Sequence, residues 1–193
     1  MPSHRIILFN NSDQKQLAPS ESLTTCTTNE EFGEYCLKHT HPNFRGLVKE
    51  GYNVIVAGNA FGCGSSRENA VSALLGAGVI CVIAKSFAFI YGRNQPNLGL
   101  LGITITDETF HEAAIEGADI DIDLDLLKVR IGQREWPFEF SRMEKELIQT
   151  GGLSNAFQKF GSKLFEVMCA PSKVQSRIPL PDDGCGNNKS LEW

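Results

Sequence analysis

The 193-residue sequence sets 18 Lys and Arg against 23 Asp and Glu, a formal charge of −5, which excludes the clustered basic surface that a nucleic-acid partner requires. Apolar residues at 41% and charged residues at 21% are globular proportions, sufficient for one domain with its own core. No stretch approaches the ~20 apolar residues of a membrane span, and the run Ile6-Ile7-Leu8-Phe9 is too short for a signal peptide, so a cytoplasmic chain with no membrane contact is expected.

The first strand signal is Arg5 to Phe9, followed by a polar loop from Asn10 to Pro19. Thr28 is a cap candidate for a short helix that carries Phe32, Tyr35 and Cys36, and Pro42 is expected to end it. Asn53 to Ala57 is a continuous apolar run between Gly51 and Gly58, the pattern of a strand buried on both faces. Helical periodicity from Ser65 to Leu75, a stop at Gly76-Ala77-Gly78 and a second apolar run, Val79 to Ile83, complete a βαβ unit. A short helix over Ser86 to Tyr91 and a turn over Asn94 to Gly99 lead to a strand at Leu100 to Ile105.

From Gly117 the period changes to strict alternation, Asp119-Ile120-Asp121-Ile122-Asp123-Leu124-Asp125. This is a strand with one wet face, since a calcium loop would need turns and a glycine. Strands at Lys128 to Ile131 and Trp136 to Phe140, then helices at Ser141 to Thr150 and Leu153 to Phe160, give a β-rich second half closed by helices. Residues 1–168 read as the domain, and residues 169–193, rich in Pro, Gly, Asn and Ser, as a disordered tail.

The six cysteines form no C-x-x-C pair and no grouped spacing, so free thiols are expected and this chain is assigned no metal of its own. His39 and His41 stand two apart with no third ligand near them, which reads as a surface turn.

Chemistry concentrates in residues 58 to 68, where glycines at 58, 62 and 64, Ser65-Ser66 and Arg67 lie between a buried strand and a helix. Ligands of open α/β sheets bind at that place, beyond the carboxyl ends of strands. Ser65 and Glu68 also match a capping box, which accounts for both without chemistry. Arg67 in a first helical turn would oppose the helix dipole, so it reads as held for an anion, with a planar fork suited to a carboxylate or phosphate. The third glycine of G-x-G-x-x-G would fall at Arg67 and no Walker lysine is present, so nucleotide binding is disfavoured. Cys63 in the loop could be a nucleophile, but close packing in the turn is the expected role. Arg93 and Asn94 read equally as polar edges of the pocket or as solvent-facing residues.

Phe61-Gly62-Cys63-Gly64-Ser65-Ser66-Arg67-Glu68 resembles the signature of the isopropylmalate dehydratase small subunit and of the swivelling C-terminal domain of aconitase. Val79 to Ala88 is similar to the family's second strand with its Ser-Phe-Ala, and Asn94 to Leu101 resembles its Asn-x(4)-Gly-Leu turn. The resemblance implies an α/β fold of the swivelling β/β/α type. It also implies a hydro-lyase that dehydrates and rehydrates a hydroxy-di- or tricarboxylate such as isopropylmalate, in leucine-type or specialised amino and hydroxy acid biosynthesis. Ser65 would be the proton-abstracting base. Ser66, Arg67 and Gly64 would hold a substrate carboxylate, and Leu23, Thr24 and Asn94 would line the pocket. A [4Fe–4S] cluster is expected on a large subunit, an obligate partner in a heterodimer.

Three positions depart from the family pattern: Asn69 replaces its histidine, Lys15 its second aspartate in the early Asn-x-Asp-Thr-Asp segment, and Glu21 its specificity-loop arginine. Two expectations follow. One is a working subunit with a shifted substrate; the other is a non-catalytic relative that serves as an assembly module for a large-subunit partner.

Overall fold

The computed structural model describes residues 4–9, 17–19, 25–64 and 67–169. Its described strands are β1 (His4–Phe9), β2 (Val54–Ala57), β3 (Cys81–Ala84), β4 (Leu101–Thr104), β5 (Asp119–Asp123), β6 (Lys128–Ile131) and β7 (Arg134–Pro137), in the order β4-β3-β2-β1-β5-β6-β7. The first four are parallel, with Ile55 opposite both Ile7 and Val82, so their carboxyl ends share one edge. The remaining three form an antiparallel meander, attached where β1 pairs with β5 at His4 and Arg5. Beyond that short pairing the Glu116 carboxylate accepts the Leu8 amide at 2.6 Å.

The apolar runs of β2 and β3 are buried on both faces because each face meets a separate core. Ile7, Ile55, Ala57, Val82 and Ala84 pack with Phe44, Val71 and Leu74 on one side. Ile6, Val54, Val56, Cys81, Ile83 and Ile103 pack with Phe110, Ile120, Val129 and Trp136 on the other. The meander therefore covers the second face, while its Asp119 and Asp121 stay exposed, as the alternation predicts. Arg130 meets Asp121 at 3.7 Å and Glu135 at 3.0 Å across that wet surface.

The first core is covered by α1 (Asn29–Tyr35), α2 (Phe44–Lys49) and α3 (Asn69–Ala77). Thr28 caps α1 through a full capping box with Glu31, and the helix ends at Tyr35, well before Pro42. A Cβ at Gly76 would lie 1.6 Å from the Asn29 carbonyl oxygen, so the backbones of α1 and α3 touch directly. His41 belongs to this core's edge rather than to a surface turn: its ring stacks on Phe9 at 6.4 Å and meets Phe44 edge-on.

Next come α4 (Phe89–Asn97) and α5 (Glu108–Ala113), then α6 (Arg142–Thr150), α7 (Leu153–Phe160) and α8 (Leu164–Cys169). Three of these boundaries correct the sequence reading. Helix α3 starts at Asn69 rather than Ser65, with Glu68 as its N-cap. Helix α4 starts at Phe89 rather than Ser86, and it continues through the expected turn at Asn94 with Pro96 inside it. The tail expected over residues 169–193 lies, from 170 onward, outside the described residues. No described helix is long and apolar enough to cross a membrane.

Candidate active site at the carboxyl ends of β2 and β3

The glycine-rich loop leaves the end of β2 and is fastened at once to the segment leaving β3. The Lys85 amide donates to the Gly58 carbonyl at 3.1 Å, and the Ala60 amide donates to Ser86 Oγ at 2.8 Å. The Phe61 amide donates to the Ser86 carbonyl at 2.9 Å, and the Ala88 amide returns to the Phe61 carbonyl at 2.8 Å. Phe61 and Phe87 thus form a one-residue parallel bridge that extends the sheet past its last full rung.

Below this stitch the Phe61 ring is fully buried, 6.1 Å from Phe9, 6.2 Å from Phe87 and 5.2 Å from Tyr91. The chain then rises at Gly62, whose φ of +81° belongs to the left-handed region, and the Cys63 amide closes a turn on the Ala60 carbonyl at 3.1 Å. Cys63 and Gly64 are exposed, so the expected close packing of Cys63 is overturned: the thiol faces solvent while Gly62 carries the packing.

Arg67 is exposed and stands two residues ahead of the first residue of α3, outside its first turn, so opposition to the helix dipole no longer explains it. The capping box expected between Ser65 and Glu68 lies in part outside the described residues, and Glu68 is the N-cap and makes no side-chain cap hydrogen bond of its own. Its carbonyl accepts the Val71 and Ser72 amides. Asn94 lies inside α4, half-buried and one turn on from Tyr91. Arg93 is exposed and stacks over the Phe89 ring at 4.0 Å. Ser65, Ser66, Leu23 and Thr24 lie outside the described residues, as do Lys15 and Glu21.

Residues that sequence reasoning left without a role build the frame of this site. Ser86 supplies two of the four stitches, and Tyr91 packs under the loop. Lys85, at the end of β3, places its ammonium 2.6 and 2.7 Å from the two Glu108 carboxylate oxygens, and this bond holds the Glu108 carboxyl below its ordinary value of 4.5. The Ser-Phe-Ala pattern after β3 was the available signal, but nothing in it announces a hydrogen bond back to residue 60. A groove of about 470 Å³ opens between Thr104–Asp107 and Trp136–Glu139.

The described residues do not fit an iron–sulfur cluster. None of them form a group of three or more Cys, His, Asp or Glu side chains that could hold a metal. Cys36 and Cys81 are buried in separate cores, where desolvation pushes both thiols up and keeps them protonated.

Residues 21–108 match the model of the aconitase C-terminal domain. An aconitase of Alternaria alternata is 46% identical over 166 residues, covering 86% of this chain and 19% of the relative. The 3-isopropylmalate dehydratase small subunit 2 of Methanopyrus kandleri is 40% identical over 148 residues, 76% of this chain and 86% of the relative. The crystal structure of a 3-isopropylmalate dehydratase (leuD) of Methanocaldococcus jannaschii superposes with a TM-score of 0.71 at 36% identity, over 82% of this chain and 93% of that one. The chain spans about a fifth of the length of the fungal relatives it matches. Motif, stitched loop, mixed sheet and these likenesses agree, and the chain belongs to the family of aconitase C-terminal domains and isopropylmalate dehydratase small subunits.

Proposed function

We propose that this chain is the substrate-gripping part of a hydro-lyase that interconverts hydroxy-di- or tricarboxylates through an alkene, with isopropylmalate or a close analogue as substrate. The single observation that carries the reading is the loop. In a chain 40% identical to a dehydratase small subunit, residues 58–61 are hydrogen-bonded to the exit of the neighbouring parallel strand, and Arg67 follows on the surface.

In this reading Ser65 removes the proton from the carbon next to a substrate carboxylate as the hydroxyl departs from the neighbouring carbon. Ser66 and Arg67 grip that carboxylate, Arg67 by its bidentate fork, and Gly64 leaves the backbone open to close approach. A serine hydroxyl is a weak base at neutral pH, so it works only where adjacent amides and cations stabilise the alkoxide. Leu23 and Thr24 would meet the variable arm of the substrate, and Asn94 the pocket edge. The [4Fe–4S] cluster belongs, on this reading, to a large-subunit partner and supplies Lewis-acid help to the leaving hydroxyl.

The test is anaerobic co-expression with cluster-bearing large subunits, following alkene absorbance with 3-isopropylmalate, citrate and homocitrate. A cluster-loaded complex that converts one of these, and loses ~10²–10⁴ of its turnover in Ser65→Ala, is the expected result. A loaded complex that converts none of them, and that Ser65→Ala leaves unchanged in every property, favours instead the assembly-module reading raised by Lys15, Glu21 and Asn69.

A further inference from the structure

Gly62 is the last buried residue before the loop surfaces, and one side chain decides where it can sit. A Cβ at Gly62 would lie 2.2 Å from Cγ of Tyr91, so the glycine backbone rests directly on that ring. Tyr91 is itself immobilised: it is 1% exposed, meets Phe61 edge-on at 5.2 Å and stacks on Phe87 at 6.2 Å with the planes 18° apart. Phe61 and Phe87 form the isolated bridge between the loop and the segment leaving β3. The three rings and the Gly62 backbone form one closed wedge, and the exposed stretch begins at its tip.

We propose that Tyr91 is the positioning residue of the hydroxy-acid loop: its ring fixes the point and direction at which the chain leaves Phe61, and thereby places Gly64 against the substrate. The effect on turnover rests on the hydro-lyase reading above, whereas the effect on the loop rests on the wedge alone. The ring, and not the hydroxyl, carries the function. That hydroxyl is buried with no hydrogen-bond partner among the described residues, an arrangement that weakens a fold rather than holding a loop. Reacting groups misplaced by ~1 Å lose about 10²-fold in rate, so a support one residue from the loop's exit is in a position to matter.

Cys63, exposed next to Gly62, reports the loop without any substrate. The full chain is labelled with a disulfide reagent as wild type, Tyr91→Leu and Tyr91→Phe, each against a matching Cys63→Ser control that isolates the Cys63 rate. The same variants are then assayed for turnover in the partner-loaded complex. The expected result is a change of about fivefold or more in Cys63 labelling and a ~10- to 100-fold fall in kcat for Tyr91→Leu, both rescued by Phe, which also melts higher because it removes the unpaired hydroxyl. If the Leu chain does not fold, Tyr91→Met keeps the apolar bulk and is read in the same way. A folded Leu or Met variant with labelling and kcat within about twofold of wild type overturns the proposal. If the wild-type complex converts no hydroxy acid, the proposed function fails while the Cys63 rates still decide the positioning role.

Discussion

Two glycines with positive φ separate backbone cost from packing cost in this chain. Gly132 has a φ of +59° and nothing within 4 Å of where a Cβ would stand, so Gly132→Ala should cost only the strain of a left-handed alanine, about 1 kcal/mol. Gly62 adds the collision with Tyr91, so Gly62→Ala should cost ~2–4 kcal/mol, a difference that denaturant melts of the two variants will show directly. The special character of Gly62 is half legible in the sequence. A glycine-rich loop after a buried strand announces a turn, but the ring beneath it comes from a helix beyond the next strand, and no local pattern links the two. Cys63 was misread for the same reason, because which residue of a tight turn packs inward depends on the far side of the fold. Arg67 illustrates the opposite case. Its surroundings in the sequence suggested a helical position, whereas the residue stands ahead of the helix, and the expectation of an anion partner now rests on the loop and the family. On the proposed role, Arg67→Lys keeps the charge and loses the fork, so KM for the hydroxy acid should rise ~10-fold or more with a smaller change in kcat.

Helix α1 was visible because its start is chemically marked. The Glu31 carboxylate accepts the Thr27 and Thr28 amides, and these bonds hold its pKa below the ordinary 4.5. A carboxyl depressed in the folded state stabilises the fold fully above its unfolded value, and that contribution disappears as pH falls through the lower folded value. The melting difference between wild type and Glu31→Gln should therefore be constant above pH 4.5 and shrink on acidification below it. A difference that grows in acid would contradict the assignment. Once started, α1 must approach α3 at backbone distance: Gly76→Ala would drive a methyl against the Asn29 carbonyl oxygen, and a loss of at least ~2 kcal/mol is expected in denaturant melts. Helices α2 and α5, six residues each, escaped the sequence reading because so short a segment shows less than two turns of periodicity. Helix α3 begins later than the sequence reading because Ser65-Ser66-Arg67-Glu68 satisfies a capping pattern on paper, whereas the described helix takes Glu68 as its N-cap.

At the scale of the molecule, the sheet explains why the site could be found at all. Four parallel strands in register put every β-to-α loop on one edge, so a glycine-rich segment after the second of them had to reach the edge where ligands bind. The change from continuous apolar runs to strict alternation at Asp119 marked the passage to the antiparallel meander, and the two cores sit on the two faces as those patterns require. What the patterns could not supply is the stitch between the β2 and β3 exits, since a side chain such as Ser86 has no periodicity that reveals its partner. The described half-site offers an anchored loop and exposed cations; on the proposed reading a large subunit would complete its chemistry.

That chemistry turns on one proton. With the cluster-loaded complex equilibrated in heavy water and given its hydroxy acid, mass spectrometry of the recovered substrate measures deuterium returned to the carbon beside the carboxylate. The account predicts steady incorporation by the wild-type complex and loss of at least ~10²-fold in Ser65→Ala with the complex still assembled. Incorporation by Ser65→Ala at the wild-type rate would contradict it, and the base would have to be sought elsewhere.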